Sequence, residues 1–197
     1  TYAENGRILT KKHYEGGLLI DDKKYAVAES TEEDDSKHVT ERYAVYSAFL
    51  ADEIERNPDL PKQGKIHFVL KLHPIAIAPD SEQARALERA FPAGLLREDT
   101  RANFIRVVGQ EQTLKPLFQL PKRARYSLDE QKREPRDPNA ANVYVSLSPI
   151  GLSDDGKQAL LYAGLWYNEC VSGDYVLLEK KASVWKVMQG INMVICT

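Results

Sequence analysis

A helical apolar stripe near the start of this chain and a two-residue alternation through its last third are its strongest folding signals. Val39, Tyr43, Tyr46, Leu50 and Ile54 follow one another at steps of three or four, with Phe49 beside them. That spacing lines up one stripe of a 3.6-residue helix and predicts a helix over residues 36–57, capped by Asp35 or Ser36. Glu41, Arg42, Asp52, Glu55 and Arg56 fall off the stripe. Pro58 closes the helix, because proline disfavours helical geometry in the residue before it. From Asn142 the period becomes two. Strands are predicted over 143–148, 157–165, 174–181 and 184–195. Asp154-Asp155-Gly156 reads as a tight turn and Ala182-Ser183 as the loop of a last hairpin. A long apolar stripe has to be covered, and the sheet is its partner. The expected class is α+β: a long N-terminal helix and shorter helices packed on a bent antiparallel sheet.

Between these parts, Lys65-Ile-His-Phe-Val-Leu-Lys-Leu72 alternates as a strand with Ile66, Phe68, Leu70 and Leu72 on one side. Asp80 followed by Gln83 reads as the cap of a second helix, with Ala84, Leu87 and Phe91 as its apolar stripe. A third, short helix is predicted from Asp99 through Phe104 and Val108, and an extended stretch over 114–120. Residues 121–138 read as a solvated loop: the bases Lys122, Arg123 and Arg125 are offset by Asp129, Glu130, Glu134 and Asp137. Residues 1–35 read as an N-terminal extension or hairpin with an acidic linker over 29–35. Residues 36–197 read as a single α+β domain.

Charge narrows the partners. The chain has 197 residues and a formal net charge of −2. No basic field is present to neutralise phosphates, so nucleic acid is not an expected partner. No apolar run approaches the ~18 residues of a membrane span. Gly-x-Ser-x-Gly, His-Glu-x-x-His and P-loop spacings are all missing, so no catalytic residue set and no cofactor are expected. His67 and His73 flank a strand end but lack a third ligand, and no metal is expected.

Three groups of residues carry the remaining chemistry. Trp166, Tyr167 and Glu169 lie in what reads as a loop borne by the sheet, a candidate surface for a ligand or protein. Tyr43, Tyr46 and His67 are candidate liners of a pocket between helix and sheet. Cys170 and Cys196 sit on the last strands. With Ala182-Ser183 as a two-residue loop, opposed positions sum to 365, and one bulge brings the two cysteines together. For an exported protein the expectation is a disulfide; the bland alternative is two buried thiols.

Leu147-Ser-Pro-Ile-Gly151, Gln158-Ala-Leu-Leu-Tyr162, Cys170, Ser172-Gly173, Tyr175-Val-Leu-Leu-Glu-Lys-Lys181 and Trp185-Lys-Val187, with the helix Glu41-Arg-Tyr43-Ala-Val-Tyr46-Ser47, resemble a family of uncharacterised bacterial proteins. The resemblance spans roughly residues 40–195. It implies an extracytoplasmic, cell-envelope setting and brings no activity with it. The family loop often reads Cys-Gly-x-x-Cys; here Cys170 matches the second cysteine and Trp166 stands in place of the first. Helix first and strand meander last is similar to a cystatin-like or nuclear-transport-factor-like cone. The functional expectation is a non-catalytic binding or protein-interaction module, its partner a protein or a small ligand. The alternatives are a small-pocket hydrolase or isomerase, and a small-ligand carrier.

Overall fold

The computed structural model describes residues 10–15, 18–24, 32–58, 60–75, 77–78, 81–128, 140–167 and 170–195; for 10–38, 82, 86, 167, 170–172 and 192–195 it describes the backbone alone. The chain forms two compact units, Thr1–Val39 and Thr40–Thr197. The first holds an antiparallel hairpin of β1 (Thr10–Glu15) and β2 (Leu18–Lys24). It also holds the opening turns of α1 (Glu32–Arg56). That helix starts earlier than its apolar stripe suggests. Glu32, Glu33, Asp34 and Asp35, expected as linker, form its first turn, where carboxylates favour the positive end of the helix dipole.

The second unit contains β3 (Lys65–Leu72), α2 (Glu82–Ala90), α3 (Glu98–Val107), β4 (Ala124–Leu128), β5 (Ala140–Leu147), β6 (Gly151–Leu152), β7 (Gln158–Tyr167), β8 (Cys170–Lys181) and β9 (Val184–Ile195). The strands form one open sheet in the order β4-β3-β5-β7-β8-β9, with β6 added on β7. The α+β class is as expected, but the sheet is mixed: β3 runs parallel to both β4 and β5. Strand β4 lies inside the stretch expected as loop. Its charges hid an alternation in which Ala124 and Leu128 are buried while Arg125 is exposed. The 114–120 segment pairs with no strand. The cap of α2 is Ser81, one place after Asp80; its hydroxyl accepts from the Ala84 amide at 3.2 Å.

Alternation gives the sheet two unlike faces. Ile66, Phe68, Leu70, Val143, Val145 and Leu161 point to the first, all essentially without exposure. Helix α1 roofs that face with Tyr43, Tyr46, Phe49, Leu50 and Ile54. The Tyr46 hydroxyl donates to the Ser148 carbonyl at 2.8 Å. The Glu41 carboxylate accepts from Lys180 at 2.7 Å and from the Trp185 indole.

On the second face, Leu160, Tyr162, Tyr175, Leu177 and Ile191 are covered by Ala84, Leu87 and Phe91 from α2 and by Phe104 and Val108 from α3. Helix α3 crosses so close to β6 that a Cβ on Gly151 would overlap the Phe104 backbone. Among the described residues the cover from α2 and α3 stops at β7, although the smaller His67 and Ser146 beyond it are also buried. Across β3 and β5 the second face carries large side chains that are not buried: Tyr144 is 39 % exposed, and Trp166 on the neighbouring end of β7 is 41 % exposed.

Candidate binding surface

The uncovered part of the sheet is organised in rows. Val69, Tyr144 and Trp166 are register partners across three strands, and Lys71, Ser146 and Gly164 form the next row. Neighbouring strands stand ~4.8 Å apart, so each row is a band roughly 10 Å wide. His73 follows just past the end of β3, where its amide donates to the Leu147 carbonyl at 2.7 Å. Together Val69, Lys71, His73, Tyr144, Ser146 and Trp166 line an open cleft of about 550 Å³. That volume lies in the range of small-ligand sites.

Glycine seats the indole. A Cβ at Gly164 would stand 3.2 and 3.3 Å from two Trp166 ring atoms, so the ring lies over its own strand two residues back. Gly173, the register partner of Gly164, serves Tyr162 in the same way: a Cβ there would collide with the phenol. The two glycines that gave this region its loop-like composition are strand residues that make room for rings.

Trp166 is therefore at the end of β7 and not in a loop. Tyr167 closes that strand and pairs with Cys170, the first residue of β8. The side chains of Tyr167 and Cys170, and all of Glu169 and Cys196, lie outside the described residues. The β8–β9 register carries one irregularity, between Leu177 and Leu178. Opposed positions sum to 365 on the turn side of it (Lys181↔Val184) and to 366 beyond it (Val171↔Ile195).

The three candidate pocket liners do not come together. Tyr43 and Tyr46 are packed into the core beneath α1, edge to face with each other at 5.9 Å and both against Phe118. The Lys115 amide donates to the Tyr43 hydroxyl. Burial pushes both phenols above their ordinary pKa, so neither is poised to exchange a proton near neutrality. His67 alternates to the opposite face and is buried there. Sequence reasoning missed Tyr144. Its only signal was its place on the polar side of the strand beginning at Asn142.

A second groove, about 710 Å³, runs between the small side chains of α1 (Ala44, Ala48, Ala51) and the β8–β9 hairpin. Asp52, Glu55, Arg56 and Lys186 give its walls both signs of charge, and its one tryptophan, Trp185, is buried. Near the C-terminal end of α1, three carboxyl groups are held above their ordinary pKa, among them Asp52, raised by burial against the opposing charge of Arg56. Asp174 is raised by burial, and its Oδ1 finds no donor among the described residues. Glu53 is raised by burial, with the charge of Asp174 adding to it and a hydrogen bond from Asn57 at 2.9 Å opposing it.

Among the described residues no three His, Cys, Asp or Glu side chains gather as metal ligands, and no helix is long and apolar enough to cross a membrane. No family model, no curated protein and no solved structure matches this chain.

Proposed function

We propose that the protein is a non-catalytic binding module that takes its ligand on the uncovered face of β3, β5 and the end of β7. The observation that carries this reading is the exposed, register-paired Tyr144 and Trp166. Aromatic side chains left half bare on a rigid sheet are characteristic of recognition surfaces. The interior under α1, which a hydrolase or isomerase would need to be hollow, is filled by the Tyr43–Tyr46–Phe118 cluster. The cleft's size favours the small-ligand form of the module over a broad protein interface.

The test uses phenylnaphthylamine, an uncharged planar fluorophore that brightens in apolar surroundings. It is expected to bind the wild-type protein, and Trp166→Ala is expected to weaken binding about tenfold. Binding that ignores both Trp166→Ala and Tyr144→Ala would remove this surface from consideration.

We also propose an extracytoplasmic setting with a Cys170–Cys196 bridge. The support is the resemblance described above, together with the register change in β8–β9, which moves the pairing toward those two positions. Protein taken from its own cells and alkylated without reduction should show no modified thiol. Two alkylated cysteines would end the proposal.

A further inference from the structure

Gly164 stands inside β7, paired with Ser146 on one side and with Gly173 on the other. Glycine weakens a strand interior, because it loses the most backbone freedom on folding and packs no side chain. A left-handed backbone would account for it, but the described glycines of positive φ are Gly64, Gly94 and Gly156. Position 164 has a backbone that other residues adopt without strain, so its glycine answers to something else.

What the position supplies is room. The two atoms nearest to a Cβ there, Cη2 and Cζ3 of Trp166, belong to the far edge of the indole. Two residues along a strand is roughly 6.6 Å. To reach that far back, the ring has to run along its own strand instead of standing off the sheet. It starts in the row of Val69 and Tyr144 and ends in the row of Lys71 and Ser146, with the Ser146 Cβ 3.7 Å from the same point. Gly173 makes similar room for Tyr162, but that phenol packs against the core under α2 and α3, where a well-seated ring adds stability. The Trp166 ring is half exposed, so its seat presents a ring to solvent.

We infer that Gly164 is a specificity-determining residue of the cleft: it lets the Trp166 indole lie down across both rows with a face turned outward, and so selects a ligand with a flat apolar ring over a globular one of the same size. This rests on the reading of the cleft as a ligand-binding surface and adds the shape that the surface accepts. A flat ring meets the indole over its whole width and gains stacking beyond the area it buries. A globular hydrocarbon touches the same face with few atoms and forfeits the remaining dispersion contacts. A Cβ at position 164 makes the ring give by a few tenths of an ångström. A branched side chain takes the ring's place outright and tips it up into the cleft. Valine is well suited to a strand, so this change removes the seat without weakening β7.

The test displaces phenylnaphthylamine from the protein with naphthol or with adamantanol. Both are alcohols, uncharged at neutral pH, with equal numbers of carbon atoms; the first is flat and the second globular. The wild-type protein is expected to favour naphthol about fivefold, the gain of one stacked ring. Gly164→Ala is expected to reduce that preference and Gly164→Val to abolish it, with urea midpoints at or above that of the wild type. Equal displacement by the two alcohols in the wild type, or a preference that survives Gly164→Val, would overturn the inference and leave the binding surface standing. A fall of the midpoint in both variants would overturn it too, by showing that the ring is seated for stability. Failure of phenylnaphthylamine to bind the wild-type protein would overturn both readings.

Discussion

Gly151→Ala is expected to cost about 3 kcal/mol of stability or more, the upper end of what overpacking does. The atoms a new Cβ would meet are the Cα, N and Cβ of Phe104, so the obstacle is helix backbone and not a side chain that can swing aside. Helix α3 would have to lift from β6. Lifting it breaks the bond from the Leu152 amide to the Asn103 side chain and unpacks Phe104 and Val108, both fully buried. It also strains the link from the Ile75 amide to the Val108 carbonyl at 2.9 Å. Urea unfolding followed by tryptophan fluorescence checks this. Gly190→Ala is the control, since nothing lies within 4 Å of a Cβ there, and it should leave the midpoint nearly unchanged. Adding Phe104→Ala to Gly151→Ala should not restore stability, because the helix backbone remains in the way. A Gly151→Ala midpoint equal to the wild type would show that α3 does not lie on β6 as described.

Asp174→Asn is expected to act in the opposite direction and stabilise the protein at neutral pH by about 1 kcal/mol, the modest size reflecting partial exposure to screening solvent. The folded pKa of Asp174 is raised above its ordinary value of 3.8. A raised carboxyl binds its proton more tightly in the folded state than in the unfolded one. Folding is thus most favoured at and below the ordinary carboxyl range, and stability falls as pH rises through the raised pKa. At neutral pH the whole penalty is present, and the amide removes it. Glu53 has the same sign and loses one source of its shift when Asp174 is neutralised. Asp155, held down to about 2 by Arg97 and Ser153, has the opposite sign: its contribution is fully present near neutrality and is lost only as pH falls through the ordinary carboxyl range toward 2, so it opposes the trend at the acid end of the window. Thermal melts from neutral pH down to the carboxyl range should rise for the wild type and stay flatter for Asp174→Asn. A variant less stable than the wild type at neutral pH would mean that Asp174 has a partner there.

The parts of this fold that the sequence made legible are those in which one local rule decides the outcome. The stripe from Tyr43 to Ile54 is buried as its spacing requires, because a helix has only one way to present it. The hairpin loop at Ala182 and Ser183 was readable from alternation on both flanks. Both residues take positive φ (48° and 68°), as a two-residue turn that follows the sheet's twist demands. Pairing direction was not legible. Alternation in β3 states which side chains share a face but not which strand lies alongside, and its parallel partners are separated from it by two helices and by residues without local signal. The site was half legible. Trp166 drew attention as an aromatic beside glycines and a cysteine, but those glycines suggested a loop when they are strand positions vacated for rings. Tyr144 could be linked to Trp166 only once the β5–β7 register was known.

The order of strands has a consequence for how the chain can assemble. Reading outward from β3, the neighbours are β5, β7, β8 and β9, which is also their order along the chain. During synthesis each new strand therefore finds the one before it as an open edge, and growth proceeds in one direction without reopening a finished pairing. Strand β4, on the other flank, is laid down away from that advancing front. Among the described strands β9 forms the border of the sheet opposite β4, so removing strands in reverse order from β9 would strip that flank one strand at a time and leave the β3–β5 platform until last.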